Sequence, residues 1–200
     1  MGRPRTFDED AVLEQALHLF WDRGYEGTAL SVLLTRTKLT KSSLYKAFGS
    51  KEGLFQRVLD RYEDRHLSFR HEALAQESPR AIVAAILHGM VDLHAGDGTP
   101  PGCLGTNAAL ACSPAADAIR CQVAGGREAF REILRDRLAA TAETAPLPFG
   151  MDPDVAASLV QTMIQGLAVQ AKSGASKEEL DRVADAFLMS WPSVAEVART

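Results

Sequence analysis

Between Thr28 and Phe55 the chain is punctuated so tightly that only short helices fit. Thr28, Thr40 and Ser50 are hydroxyls placed to cap helix starts, and Gly49 is placed to end a helix. Between them, apolar residues recur at helical spacing. The expected elements are a helix over 29–37 with Leu30, Leu33 and Leu34 inward, a break at Lys38-Leu39, and a brief helix over 41–48 with Leu44 and Phe48 inward. A scaffold helix precedes them: Asp8 is its N-cap, Leu13, Ala16, Leu17 and Phe20 form its buried stripe, and Gly24 is its end. A longer helix over 51–74 follows. Two short helices meeting at a tight turn in this setting are a helix-turn-helix layout.

The rest of the chain is helical by the same signals. Ser78-Pro79 opens a helix over 81–94, and residues 96–102 are the clearest loop. A short helix over 104–112 leads to a long one over 115–143, with Gly125-Gly126 as a weak spot. After a loop over 146–153 come helices over 154–172 and 177–191, the last opened by a Ser176/Glu179 capping box. No alternating pattern competes. The expected class is all-α: a three-helix DNA-binding domain over 1–50 joined to a larger ligand-binding and dimerisation domain over 51–200.

Composition narrows the function. Hydrophobic residues make up 46% of the chain and charged residues 24%, so a packed soluble protein is expected. No apolar run approaches the ~18 residues of a membrane span, and the N-terminus has no secretory pattern, so a cytoplasmic protein with no membrane partner is expected. Three cysteines, Cys103, Cys112 and Cys121, have no Cys-x-x-Cys spacing, and the five histidines form no His-Glu-x-x-His element. The expectation is therefore no metal and no cofactor.

The net charge of −4 is unevenly spread. Residues 1–70 hold 12 Lys or Arg and 10 Asp or Glu, net +2, while the remainder holds 10 and 16, net −6. From Arg36 to Lys51 there are five basic residues and no acid. Such a local stripe fits a phosphate backbone, and on charge alone it fits a solvated helix face equally. The outer face of the second short helix would carry Lys41, Ser42, Tyr45 and Lys46. It begins at Thr40, where the helix N-terminus adds N–H groups for phosphate oxygens. Arg3 and Arg5 flank Pro4 on an N-terminal arm that suits a narrow minor groove.

At these residues the chain resembles the TetR family of bacterial regulators. The resemblance runs from Ala16-Leu17 and Leu19-Phe20 through Gly24-Tyr25 and Thr28, then densely over 39–46, 48–52 and Leu54. It implies phosphate contacts at Thr28, Tyr45 and Lys51, groove reading by Lys41 and Ser42, and Ser43 and Lys46 near the DNA backbone. Two departures stand out. Lys38 occupies a turn position where the family has glycine, and Leu34 and Thr37 stand where small alanines are usual. The resemblance also implies a repressor that binds double-stranded operator DNA as a homodimer.

By the same resemblance the middle helices hold a small-molecule effector. Met90, His94, Leu104, Asn107, Phe130 and Met163 offer an apolar lining with a few polar groups, suited to a lipophilic or aromatic ligand. Gly102-Cys103-Leu104 resembles a motif of one branch of the family, some members of which respond to electrophiles through a cysteine. Cys103 follows a loop and starts a helix, a position that favours the thiolate, while the plainer reading is a small buried residue. The last two helices carry Leu159, Met163, Gly166, Leu167, Gln170, Val183, Phe187 and Trp191, read as a dimer surface that pairs into a four-helix bundle.

Two other classes compete. Ser43-Leu-Tyr-Lys46 fits the Ser-x-x-Lys pattern of serine acyl-enzymes, although it lies on the expected recognition helix and no partner motif follows. A helical protein-interaction domain is the other. The sequence reading favours a regulator and no enzyme.

Overall fold

The computed structural model describes residues 7–109, 113–143 and 145–192, and all regular elements among them are helices. They are α1 (Glu9–Gly27), α2 (Leu30–Thr37), α3 (Lys41–Phe48), α4 (Lys51–His66), α5 (Phe69–Leu74), α6 (Pro79–Ala95), α7 (Leu104–Ala109), α8 (Asp117–Thr141), α9 (Pro153–Lys172) and α10 (Lys177–Leu188). Arg3, Arg5, Leu110 and Cys112 lie outside the described residues.

The chain packs as two units. The first comprises Met1–Leu67 and Leu104–Cys121, so its packing continues past residue 50 through α4 and takes in α7. Its core is aromatic. Phe20 meets Phe55 edge-on at 5.0 Å, and Trp21 meets Tyr62 edge-on at 4.8 Å. Around this core the acids of α1 pair with the arginines of α4: Glu9 with Arg57, and Asp10 and Glu14 with Arg61 and Arg65.

Several local expectations hold in atomic detail. Asp8 caps α1 by accepting from the Asp10 and Ala11 amides. Thr40 caps α3, Ser50 caps α4, and the Ser176/Glu179 box is complete. Others change. Gly24 does not end α1; it takes φ 74° and ψ 172° as a kink, with helix resuming to Gly27. Thr28 is not the cap of α2. That position falls to Ala29, and Thr28 turns inward, fully buried. The helix expected over 51–74 breaks at Leu67-Ser68 with no glycine or proline to signal it. Leu67 is buried in the first unit, while α5 belongs to the second.

The second unit comprises Ser68–Cys103 and Gln122–Thr200. Here α6 packs against α5, α9 and α10. Val83, Leu87, Met90 and His94 of α6 fall at intervals of three and four and are all buried, forming one stripe. The side chain of Phe69 leaves no room for a Cβ at Gly89, which would sit 2.3 Å from its ring, so glycine allows α5 and α6 to approach here. Gly125-Gly126 leaves α8 unbroken, since a glycine in a helix costs only about 1 kcal/mol relative to alanine.

Candidate nucleic-acid interface

The turn between α2 and α3 sets the interface. Lys38 adopts φ 55° and ψ 24°, so a lysine fills the left-handed position that usually favours glycine. At the last residue of α2 the buried Thr37 hydroxyl donates back to the Leu33 carbonyl at 2.7 Å. Leu33 and Leu44 are fully buried and fix α3 against the first unit.

The opposite face of α3 is free for a partner. Lys41, Ser42, Tyr45 and Lys46 are all exposed. The Lys41 ammonium lies 5.5 Å from the centre of the Tyr45 ring, one turn along the same face. Thr40 ties the helix start together: its Oγ1 accepts from the Ser43 amide at 3.2 Å and its hydroxyl donates to Ser43 Oγ at 2.9 Å. The Ser43 hydroxyl is thus engaged with Thr40 at the helix start.

Lys51 starts α4, where the helix dipole disfavours a cation. It is held by a seat the sequence reading missed. Its Nζ donates to the Tyr25 carbonyl at 2.6 Å and sits 4.2 Å over the Tyr25 ring. Partial burial there lowers the pKa of the ammonium, and the Glu26 carboxylate raises it back. Thr28 is differently placed from the expected phosphate contact. Its one hydroxyl hydrogen is directed to backbone carbonyls, with Gly24 O at 2.7 Å and Leu19 O at 3.2 Å. Phosphate only accepts, so Thr28 has no hydroxyl hydrogen left to offer.

The kink at Gly24 is held from α7. The Asn107 side-chain amide donates to the Trp21 carbonyl at 2.8 Å, and the Asn107 carbonyl oxygen lies 2.7 Å from where a Gly24 Cβ would stand. Asn107 is therefore a structural clamp of the first unit, where Leu104 is also buried. A second tie follows: Glu26 accepts from the Ser113 amide and hydroxyl at 2.5 and 2.7 Å, which lowers its pKa.

The remaining effector candidates lie in the second unit. His94, Met90 and Phe130 are buried, while Cys103 and Met163 are half-buried. Of the dimer candidates, Leu167 and Trp191 are fully buried within the chain and belong to its core. Leu159, Gly166, Gln170 and Val183 are exposed, and Phe187 is half-buried. A Cβ at Gly166 would meet nothing within 4 Å. Among the described residues no cluster of three metal-ligating side chains occurs, and no helix is long and apolar enough to cross a membrane.

A short basic helix, seated by a buried leucine face and leading with its capped N-terminus, defines a helix-turn-helix DNA-binding regulator. Residues 12–58 match the family described as "Bacterial regulatory proteins, tetR family", and residues 79–187 match the "Tetracyclin repressor-like, C-terminal domain". The chain belongs to the TetR family. It is 34% identical over 197 residues to the HTH-type transcriptional repressor ComR of Escherichia coli (strain K12), covering 96% of this chain and 93% of that protein. It is 26% identical over 184 residues to the HTH-type transcriptional repressor DhaR of Mycobacterium sp. (strain GP1), covering 89% of each. Among solved structures, a cysteine mutant of the TetR family transcriptional regulator CifR complexed with 26 bp double-strand operator DNA matches with a TM-score of 0.88 at 37% identity, covering 95% of this chain and 100% of that one.

Proposed function

We propose that this protein is a cytoplasmic, homodimeric repressor that holds operator DNA with α3 and releases it on binding a small molecule in its second unit. The observation that carries the reading is the exposed row Lys41, Ser42, Tyr45 and Lys46 on a helix whose other face is locked into the core. Lys41 and Ser42 read base edges. Tyr45, Lys46 and the Thr40-capped helix start, with Ser43, hold the phosphate backbone, and Lys51 adds an ammonium fixed by Tyr25. Arg3 and Arg5 reach the minor groove. The similarity to repressors and to an operator-bound relative supports this assignment.

The dimer forms through the exposed residues of α9 and α10, Leu159, Gly166, Gln170 and Val183, with Met163 and Phe187 at their edges. The effector is lipophilic or aromatic and is received around Met90, His94, Cys103 and Phe130. A ligand shifts the equilibrium only through different affinities for the DNA-competent and released states. A coupling of ~1–3 kcal/mol lowers operator affinity ~5–150-fold.

Selection of random duplexes by the purified full chain tests the reading. Enrichment of an inverted repeat with half-sites about one helical turn apart is expected, because a two-fold dimer presents two recognition helices. Failure to enrich any duplex, or enrichment without inverted symmetry, overturns it.

A further inference from the structure

Glu26 and Lys51 are a carboxylate and an ammonium brought close without being paired. The Lys51 Nζ donates to the Tyr25 carbonyl at 2.6 Å, and that carbonyl belongs to the peptide group joining Tyr25 to Glu26. In a trans peptide the carbonyl oxygen lies about 2.8 Å from the next Cα, so the ammonium is within about 5.4 Å of the Glu26 Cα. That is inside the reach of a glutamate side chain. The carboxylate is instead turned to Ser113: Oε2 accepts from the Ser113 amide at 2.5 Å and Oε1 from its hydroxyl at 2.7 Å. The Ser113 hydroxyl, then its amide, lower the Glu26 pKa; burial opposes them, and the Lys51 charge adds to the lowering. On Lys51, burial lowers the pKa and the Glu26 charge opposes it. Each charge thus acts on the other while Ser113 holds the carboxylate.

We propose that Ser113 keeps the Glu26 carboxylate off Lys51, leaving the ammonium available to a DNA phosphate, and that withdrawal of Ser113 turns the carboxylate onto Lys51 and blocks that contact. This deepens the proposed function and rests on that reading. Glu26 and Ser113 are positioning residues; they set the charge that meets DNA without touching it. The competition is direct. Tyr25 takes one of the three ammonium hydrogens, and a carboxylate takes another while cancelling the charge that attracts phosphate. Ser113 is well placed to report on the second unit. Residues 104–121 pack in the first unit, yet the chain joins them at both ends to stretches of the second, 68–103 and 122–200. A change there reaches Ser113 through the chain itself, and moving it beyond about 3.2 Å from the carboxylate breaks the hold.

The test uses the full chain with Ser113→Ala, Glu26→Gln and both together. Operator affinity is measured at several salt concentrations, and the Lys51 ammonium is titrated by NMR. Ser113→Ala is expected to weaken operator binding about two- to fivefold, make its salt dependence shallower and raise the Lys51 pKa above the parent's. Glu26→Gln keeps an acceptor for Ser113 and removes the charge. It is expected to bind operator at least as tightly as the parent and to lower the Lys51 pKa. Adding Ser113→Ala to Glu26→Gln is then expected to change neither quantity. An equal loss from Ser113→Ala with and without Glu26→Gln makes Ser113 a mere tether and overturns the proposal. If Ser113→Ala fails to fold, Glu26→Gln decides alone: weaker operator binding or an unmoved Lys51 titration overturns it. If the parent binds no operator, the regulator reading falls, and the Lys51 titration still decides the clamp. If the parent binds operator and Ser113→Ala binds it equally well, only the clamp falls.

Discussion

The Lys51 ammonium donates a 2.6 Å hydrogen bond to the carbonyl oxygen of Tyr25. It also stacks over that residue's ring, so one cation joins the start of α4 to the last turn of α1. Tyr25 is itself packed on Phe20 and Phe55. This proposed phosphate contact is thus positioned by the aromatic core.

Lys51→Ala is expected to weaken binding to all operator sequences alike. Two of the three ammonium hydrogens remain for a phosphate, so the slope of log affinity against log salt should become shallower by about 0.9. Titrations at several salt concentrations measure this. An unchanged slope would show that Lys51 acts only through its bond to Tyr25.

Substitution of Lys41 or Ser42 by alanine should change which operator is preferred. A lost base contact is worth about 1–3 kcal/mol of discrimination at one base position. Repeating the duplex selection with each variant reads this directly. Uniform weakening with the same consensus would assign both residues to the backbone.

Lys38→Gly should stabilise the fold. The left-handed backbone costs lysine about 1–2 kcal/mol, and the greater freedom of glycine in the unfolded chain returns about 0.4–1 kcal/mol of that. A net gain of up to about 1.6 kcal/mol in urea unfolding is expected. A loss would mean that the lysine side chain contributes more than its backbone costs.

His66 sits edge-on to Trp21 at 5.1 Å and tilted on Tyr62 at 5.6 Å. Burial chiefly lowers its pKa; the Glu14 carboxylate opposes this, and His18, Arg65 and Arg61 reinforce it. The unfolded chain therefore binds the proton more readily than the folded one. The stability from this group is complete above the ordinary histidine value and is lost as pH falls through that value towards the lower folded one. His66→Phe keeps a ring against Trp21 and should flatten the stability profile between about pH 7.5 and about pH 5. Urea midpoints across that range test it, and a profile as steep as the parent's would count against His66.

What the sequence by itself determined is local. Caps at Asp8, Thr40, Ser50 and Ser176 satisfy amides within a few residues of themselves, so their chemistry is legible without knowing the rest of the chain. The inward leucines and the exposed basic row of α3 follow from helical periodicity alone, and they carry the helix-turn-helix. Long-range packing decided the remainder. Thr28 reads as a cap until the kink at Gly24 presents carbonyls to its hydroxyl. Asn107 reads as a ligand group until α7 lies against α1 and the Trp21 carbonyl claims its amide. Arg70 carried no signal, because its place over Phe130 depends on helices some sixty residues apart in sequence. In each case the hydrogen-bonding capacity was visible in the sequence. Which partner it found depended on what tertiary packing brought within about 3 Å and shielded from water.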